Sequence, residues 1–452
     1  MTRLPVHLPD TVRNPLSLLG VVVTTTAAVL FVALIVLEAI GAIANPYLGL
    51  LVFVTVPVVF VLGLLMIPLG AWWARRRRRL HPELPAWPVI DLGKPRHQAL
   101  TVAGLVLTAV NIVIVSLAAY GGVHYMDSPA FCGQVCHTTM EPQFSAYQVW
   151  PHARVGCAQC HVGPGAGAMF QAKLAGTRQL YHVLTNNIPR PVPPPEQLIQ
   201  PAHATCEGCH WSGQIHGDRL RQIREYANDE SNTESVTTLR LHVGGGTARG
   251  TGIHWHANPA TVIEFVPPPP GKDAAPYVRM TGQGGRVREF LAPGATASQF
   301  ASAPLRRMSC IDCHNRPAHT MFATAERAVD TAIADARIPR ELPFVRREAV
   351  AVLKQAFTSR EAGQQAIAQR LREFYATRAG VDARAVDRAV TGAQDLWSRN
   401  VFPAMKVTWG TYPNHTGHID SPGCFRCHDD EHKSADGAVI GQSCELCHTA
   451  PE

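Results

Sequence analysis

Hydrophobic and polar positions divide this 452-residue chain very unevenly. Three runs near the start are almost wholly apolar: about Leu16 to Ala44, about Tyr47 to Trp73, and about Leu100 to Tyr120. Each reaches the length of about 20 residues that spans a bilayer as a helix. Asn45-Pro46 makes a tight connection between the first two, and Trp72 and Trp73 stand where an interfacial aromatic belt is expected. Five consecutive arginines, Arg75 to Arg79, follow at once. Cytoplasmic loops collect Lys and Arg, so this run is expected inside, as is the N-terminus with Arg3 and Arg13. The third span then leads outward, and everything after about Tyr120 is expected outside the cytoplasmic membrane. Ala42-Ile43-Ala44 resembles a cleavage site, but the apolar run is far longer than a signal h-region and a second span follows immediately. An uncleaved helix is expected.

Beyond Tyr120 the pattern becomes polar, His-rich and broken by Pro and Gly. Ser235–Val243, Thr261–Val266, Tyr277–Met280 and Arg286–Leu291 alternate, or carry β-branched and aromatic residues between breaks, which predicts a small antiparallel sheet. Ala325–Ala336, Arg346–Ala356, Arg360–Ala376 and Ala383–Asn400 show the three-to-four-residue apolar spacing of helices. The expected fold is a membrane-anchored, mainly α and irregular structure with three transmembrane helices and a small β insert. Its segments are 1–97, a transmembrane hairpin with the arginine run; 98–126, the third span; 127–215, holding three cysteine motifs; 216–305, the β-rich insert; 306–320, a fourth motif; 321–400, helical; and 401–452, two last motifs.

The twelve cysteines change the picture most. They form six pairs, and a histidine follows every pair. Five are C-x-x-C-H: Cys157/Cys160/His161, Cys206/Cys209/His210, Cys310/Cys313/His314, Cys424/Cys427/His428 and Cys444/Cys447/His448. The sixth, Cys132/Cys136/His137, has one more residue between its cysteines. C-x-x-C-H attaches c-type haem: the thiols bond covalently to the haem edge and the adjacent imidazole is held under the iron. A zinc site needs four ligands and no histidine directly after each pair. A disulfide framework would not place histidine there either. Six covalent haems c are expected, with His137, His161, His210, His314, His428 and His448 as proximal ligands. The formal charge of +7 then means little, because haem propionates offset it, and a nucleic-acid reading of the basic balance is weak.

Of 21 histidines, fifteen lie outside the motifs, twelve of them after the third span. That supply covers one distal ligand per haem and favours six-coordinate, electron-transferring haems over open catalytic ones. His319 follows His314 too closely to reach the far face of the same haem, and suits a neighbour instead. His415 and His418 precede the fifth motif and His432 follows it. His254 and His256 flank Trp255; on a strand they would share a face. His152 shortly precedes the second motif. All seven are distal candidates, while His124, His182, His203, His216 and His242 read first as packing or surface histidines. Met140, three residues after His137, is an alternative ligand at the first site.

The stretch from Phe131 to Trp211 resembles the NapC/NirT cytochromes. A membrane helix runs directly into a haem motif with a nearby methionine (Met140), then Glu141-Pro142, a histidine before the second motif (His152), and Gly-Pro-Gly with a downstream lysine (Lys173). Gly252–His256, Cys310–His319 and Trp409–His418 look like extended members of that family. The three-residue spacer of the first motif, two extra spans and added C-terminal haems depart from it. The resemblance implies oxidation of membrane quinol and passage of electrons to a periplasmic or outer-membrane acceptor protein, with Lys173 beside the quinol pocket. Glu38, a carboxylate inside a predicted span, is a second quinol-site candidate, since such residues are costly and commonly functional. Two other readings stand beside this one: a terminal reductase of a small nitrogen or sulfur compound at an open haem, and a haem subunit of a larger respiratory complex.

Overall fold

The computed structural model describes residues 14–39, 56–80, 93–135, 137–163, 166–194, 205–211, 215, 217–244, 252–269 and 272–451. It divides into two units, residues 1–127 and 128–452.

Among its described residues the first unit holds three helices long and apolar enough to cross a membrane: α1 (Pro15–Ala39), α2 (Val56–Leu80) and α3 (Pro95–Met126). Small residues bring α1 and α2 close, as lipid-embedded packing requires. A Cβ on Gly63 would lie 2.5 Å from Thr24 Oγ1, and one on Gly70 would lie 2.4 Å from Asn14 Oδ1. Asn14 Oδ1 accepts from the Ser17 backbone N–H at 2.7 Å, satisfying a donor at the start of α1. Ser17 Oγ donates across the pair to Ile67 O at 2.7 Å. Asn111 of α3 donates to Thr25 of α1 at 3.2 Å. At the end of α2, Arg76 and Arg77 lie over the rings of Trp72 and Trp73, at 5.4 and 5.7 Å. The Asn45-Pro46 connection and Ala42–Ala44 lie outside the described residues.

The second unit begins with the cysteine motifs. Among them stand α4 (His137–Tyr147), α5 (Cys157–His161) and α6 (Ala166–Leu184). The β region corrects the expectation of a single small sheet, because the described residues form two. Strands β1 (Asp218–Tyr226), β2 (Glu234–His242) and β8 (His448–Thr449) form one, in the order β1-β2-β8. The other is β6-β3-β4-β5-β7, from β3 (Val262–Val266), β4 (Tyr277–Thr281), β5 (Val287–Leu291), β6 (Arg306–Arg307) and β7 (Lys433–Ser434). The edge strands β6, β7 and β8 are two residues each, too short to carry a period. In β1 the sequence DRLRQIREY hides its alternation under charge. Each sheet ends on a two-residue strand from the C-terminal segment, Lys433–Ser434 after the fifth motif and His448–Thr449 at the end of the sixth, which ties that segment to the β region.

Four helices follow: α7 (Ala325–Ala334), α8 (Val345–Leu353), α9 (Arg360–Ala376) and α10 (Ala383–Asn400). Thr324, Ser359 and Asp382 cap three of them, each side chain accepting from a backbone N–H of the first turn. Val329, Val345, Val352, Ile367, Leu371 and Trp397 are essentially solvent-free and form one core. Burying each such side chain contributes about 1.5–3 kcal/mol. Gly363 lets α9 meet α10, since a Cβ there would stand 2.5 Å from the Trp397 ring. The turn between β1 and β2 plugs into this bundle: Asn232 donates to Arg340 O and Leu342 O, both at 2.9 Å. Arg360 of α9 pairs with Glu141 of α4, so the bundle also braces the first motif's helix.

Candidate haem-binding sites

From Cys157 onward each thiol pair sits in a tight helical turn that leads directly into its histidine. The turns close on the first cysteine: the backbone N–H of His210 donates to Cys206 O at 2.7 Å, His314 to Cys310 O at 2.7 Å, and His428 to Cys424 O at 3.1 Å. At the first site the backbone differs in the way the extra residue requires. Phe131–Val135 winds as a π-helical turn, wider than the α form. Cys136 lies outside the described residues, as does the side chain of His137. Met140 stands one turn further along α4, partly buried, on the side of the helix shared by positions three apart.

The other five motif histidines each face one histidine from elsewhere in the chain. His161 faces His319 with ring centres 6.2 Å apart, and His210 faces His152 at 6.1 Å. His314 faces His254 at 6.1 Å, His428 faces His256 at 5.8 Å, and His448 faces His418 at 6.1 Å. A metal–imidazole bond is about 2 Å. Two such bonds plus a half-ring of roughly 1 Å on each side place ring centres roughly 6 Å apart, so the gaps fit one iron between two imidazoles. The outer nitrogens fit as well. Nδ1 of His152 lies 3.0 Å from Pro317 O, that of His319 3.0 Å from Gln143 O, that of His254 2.9 Å from Val243 O, and that of His256 2.8 Å from Ile253 O. A carbonyl there accepts the Nδ1 proton and leaves Nε2 free for a metal. Burial pushes His256 down, and His319 down to about 4, so both stay in the neutral form that ligates.

The motifs also stand in a row. The Cys132 thiol lies near that of Cys157, and the Cys206 thiol near that of Cys310. Cys160 is within electrostatic reach of Cys206 and Cys209, Cys313 of Cys424, and Cys447 of Cys424. Neighbours in sequence are thus neighbours in space from the first motif to the last. The fourth and fifth are locked further: Arg426 donates to Asp312 O at 2.5 Å, and Thr416 to Cys313 O at 3.2 Å.

His254 and His256 do not share a strand face. His254 sits in an isolated bridge before a short 3₁₀ turn, Trp255–Ala257, and the two rings go to different motifs. His432 corrects an expectation. It is wholly buried with Nδ1 2.9 Å from Asp429 and Nε2 2.6 Å from Ala275 O, so neither nitrogen is left for iron. His415 faces none of the five motif histidines described; its Nδ1 lies 3.3 Å from Ser421 Oγ. Lys173 belongs to α6 and Glu38 to α1, but both side chains lie outside the described residues. Sequence reasoning passed over Arg316, in Cys-His-Asn-Arg-Pro-Ala-His. It is buried, and burial pushes its guanidinium down to about 10, still cationic at neutral pH. The signal available was a charge placed between two histidines of the same short loop.

Apolar helices joined to a unit of thiol-pair turns and facing imidazoles define a class, a membrane-anchored cytochrome holding covalent haem c. The model of the NapC/NirT cytochrome c family, N-terminal region, matches residues 94–192. The chain is also 39% identical over 445 residues to the cytochrome c-type protein ImcH of Geobacter sulfurreducens, covering 96% of this chain and 87% of that protein. No solved structure matches it. The chain belongs to the NapC/NirT-like multihaem c-type cytochromes. Its work is electron transfer at a membrane.

Proposed function

We propose that this protein oxidises quinol in the cytoplasmic membrane and passes the electrons through six covalent haems to an acceptor protein in the periplasm or outer membrane. The observation that carries the conduit reading is the set of five facing histidine pairs, all with ring centres 5.8–6.2 Å apart. A metal held on both faces has no open position for a substrate, so these sites suit electron transfer rather than terminal reduction. Haem, when bound, supplies a one-electron couple whose potential its ligands and surroundings set. The chain does the rest. Cysteines fix each haem edge, carbonyls aim the imidazoles, and the row of motifs keeps successive sites adjacent.

Family membership and the three apolar helices support quinol as the donor. In the proposed topology the N-terminus and Arg75–Arg79 are cytoplasmic, and the unit from residue 128 onward is outside. Each quinol gives up two electrons, one at a time, and two protons, which leave on the outer side. Lys173 is the candidate to lie beside quinol, and Glu38 is a second candidate, a carboxylate able to accept a quinol proton.

The test is an anaerobic mix of the detergent-solubilised holoprotein with a menaquinol analogue, followed by haem absorbance. Fast reduction, blocked by a quinone-site inhibitor and slowed by Lys173→Ala or Glu38→Gln at unchanged haem content, is expected. Reduction by dithionite but not by quinol would sink the quinol assignment. Unchanged rates in both variants would remove those two residues from it.

A further inference from the structure

Arg316 is 8% exposed, and every partner it has is neutral. Its Nε donates to His319 O at 3.2 Å and its Nη2 to Gln143 Oε1 at 3.0 Å. The Tyr412 ring lies 4.4 Å from its guanidinium carbon. No carboxylate of the described residues pairs with it. Other buried charges of this unit are treated differently: Asp312 pairs with Arg306 at 2.6 Å, Asp330 with Arg346 at 2.8 Å, and Glu348 with Arg370 at 2.8 Å. A buried charge is costly without a partner.

Arg316 also lines a cavity of about 840 Å³, together with His152, His314, Arg224, Arg327 and Thr416. Three aspartates border the same space, but each is engaged: Asp330 with Arg346, Asp335 with Arg337 at 3.5 Å, and Asp420 with Arg327 at 3.5 Å. The missing counter-charge is therefore not one of them. His152 and His314 belong to two adjacent haem sites. The anion each site brings is a haem propionate, and a guanidinium fork matches a carboxylate with two parallel hydrogen bonds.

We infer that Arg316 is the seat of a haem propionate, from the haem between His152 and His210 or from that between His254 and His314. The inference rests on the haem-site assignment above. The consequence is electrostatic. A fixed cation at the propionate favours the reduced iron, so Arg316 raises the potential of that haem above its value in a neutral setting.

The test uses the full-chain holoprotein with Arg316→Gln and Arg316→Lys, titrated potentiometrically with optical and EPR detection. Haem counting and spin state of the unsubstituted protein check the underlying assignment on their own. Arg316→Gln should keep every haem and its low-spin state while shifting one haem tenfold or more toward oxidised, about 59 mV more negative for a one-electron couple. Arg316→Lys should recover most of that shift. The signal that moves identifies the source, because the two imidazole pairs differ in ring angle, 65° for His152/His210 and 8° for His254/His314. Near-parallel rings give a rhombic low-spin signal and steeply crossed rings an axial one. Two results would overturn the inference. Arg316→Gln titrating like the parent would show that Tyr412 and Gln143 alone hold the charge. A haem turned high-spin in both variants would make Arg316 a clamp on the His319 loop.

Discussion

On the proposed haem assignment, a single glycine that offers no ligand of its own should decide the ligation of two haems. Gly252 precedes the turn that carries His254 and His256, and its φ is +83°, where an L side chain costs about 1–2 kcal/mol. Space is the larger problem. A Cβ there would sit 2.3 Å from His242 O, whereas real Cβ atoms essentially never come within 3.0 Å, so Gly252→Ala requires a displacement of at least 0.7 Å by difference. The turn has little freedom to absorb it elsewhere, since Ile253 N–H donates to His242 O at 2.8 Å and His254 N–H to Val243 O at 3.1 Å. Metal constellations tolerate about 0.5 Å. The thioether bonds are untouched, so haem content should stay complete.

Ferric EPR and optical spectra of the Gly252→Ala holoprotein should therefore show two haems converted from low to high spin. His254→Met and His256→Met should each alter one haem, and different ones: the near-parallel pair at 8° for His254, the crossed pair at 89° for His256. A Gly252→Ala protein with every low-spin signal intact would refute the argument, because it would mean that the turn yields without moving either imidazole.

Two further outcomes follow from the packing. Leu371→Ala, in the solvent-free core of the four-helix bundle, should cost about 2–5 kcal/mol by thermal or denaturant unfolding while leaving the haem spectra unchanged; an unchanged unfolding midpoint would contradict the assigned core. His415, pushed down to about 4 by burial and then by Arg426, with Asp273 acting the other way, should make folding acid-sensitive. Its unfolded value is about 6.5, so between pH 6.5 and 4 the unfolded chain binds more protons there. That share of stability is complete above the unfolded value and declines as pH falls through the window. His415→Gln should flatten this part of the dependence, measured as unfolding free energy at neutral and mildly acid pH, and an identical slope would disprove the assignment.

The features legible in sequence were those set by local chemistry. Apolar runs gave the three long helices of the first unit, because lipid demands a length of apolar residues. Three-to-four-residue spacing placed α7–α10 to within three residues at either end. The thiol pairs made the candidate attachment sites legible, because each lies within a few consecutive residues. Strand β1 was missed because charges occupy both its faces, and β6–β8 because two residues show no period. Among the distal candidates, His152, His254, His256, His319 and His418 face a motif histidine, whereas His432 differs from them only in its neighbours, Asp429 and the Ala275 carbonyl. No local pattern distinguishes a histidine aimed at a metal from one aimed at a carboxylate.

The pairing of histidines was illegible for a further reason, and that reason bears on how the family's core is used here. A histidine within a few residues of an attachment motif is tethered to the near face of that haem and cannot round its edge. Proximity in sequence is therefore nearly the opposite of a guide. His152 stands five residues before Cys157 yet faces His210, and His319 stands five after His314 yet faces His161. The family-matched segment, residues 94–192, contains His152 and His161, but both partners lie beyond it. Neither pair can form until the chain past residue 192 has folded back. That return is held by ordinary contacts: His319 by the Gln143 carbonyl, His152 by the Pro317 carbonyl, and Asn315 by His415 and Pro413. The more than half of the chain that lies beyond residue 192 is thus no appendage to a finished module. It supplies the histidines that face His161 and His152, so on the proposed haem assignment the ligation of the core's own sites depends on the folding of the chain beyond it.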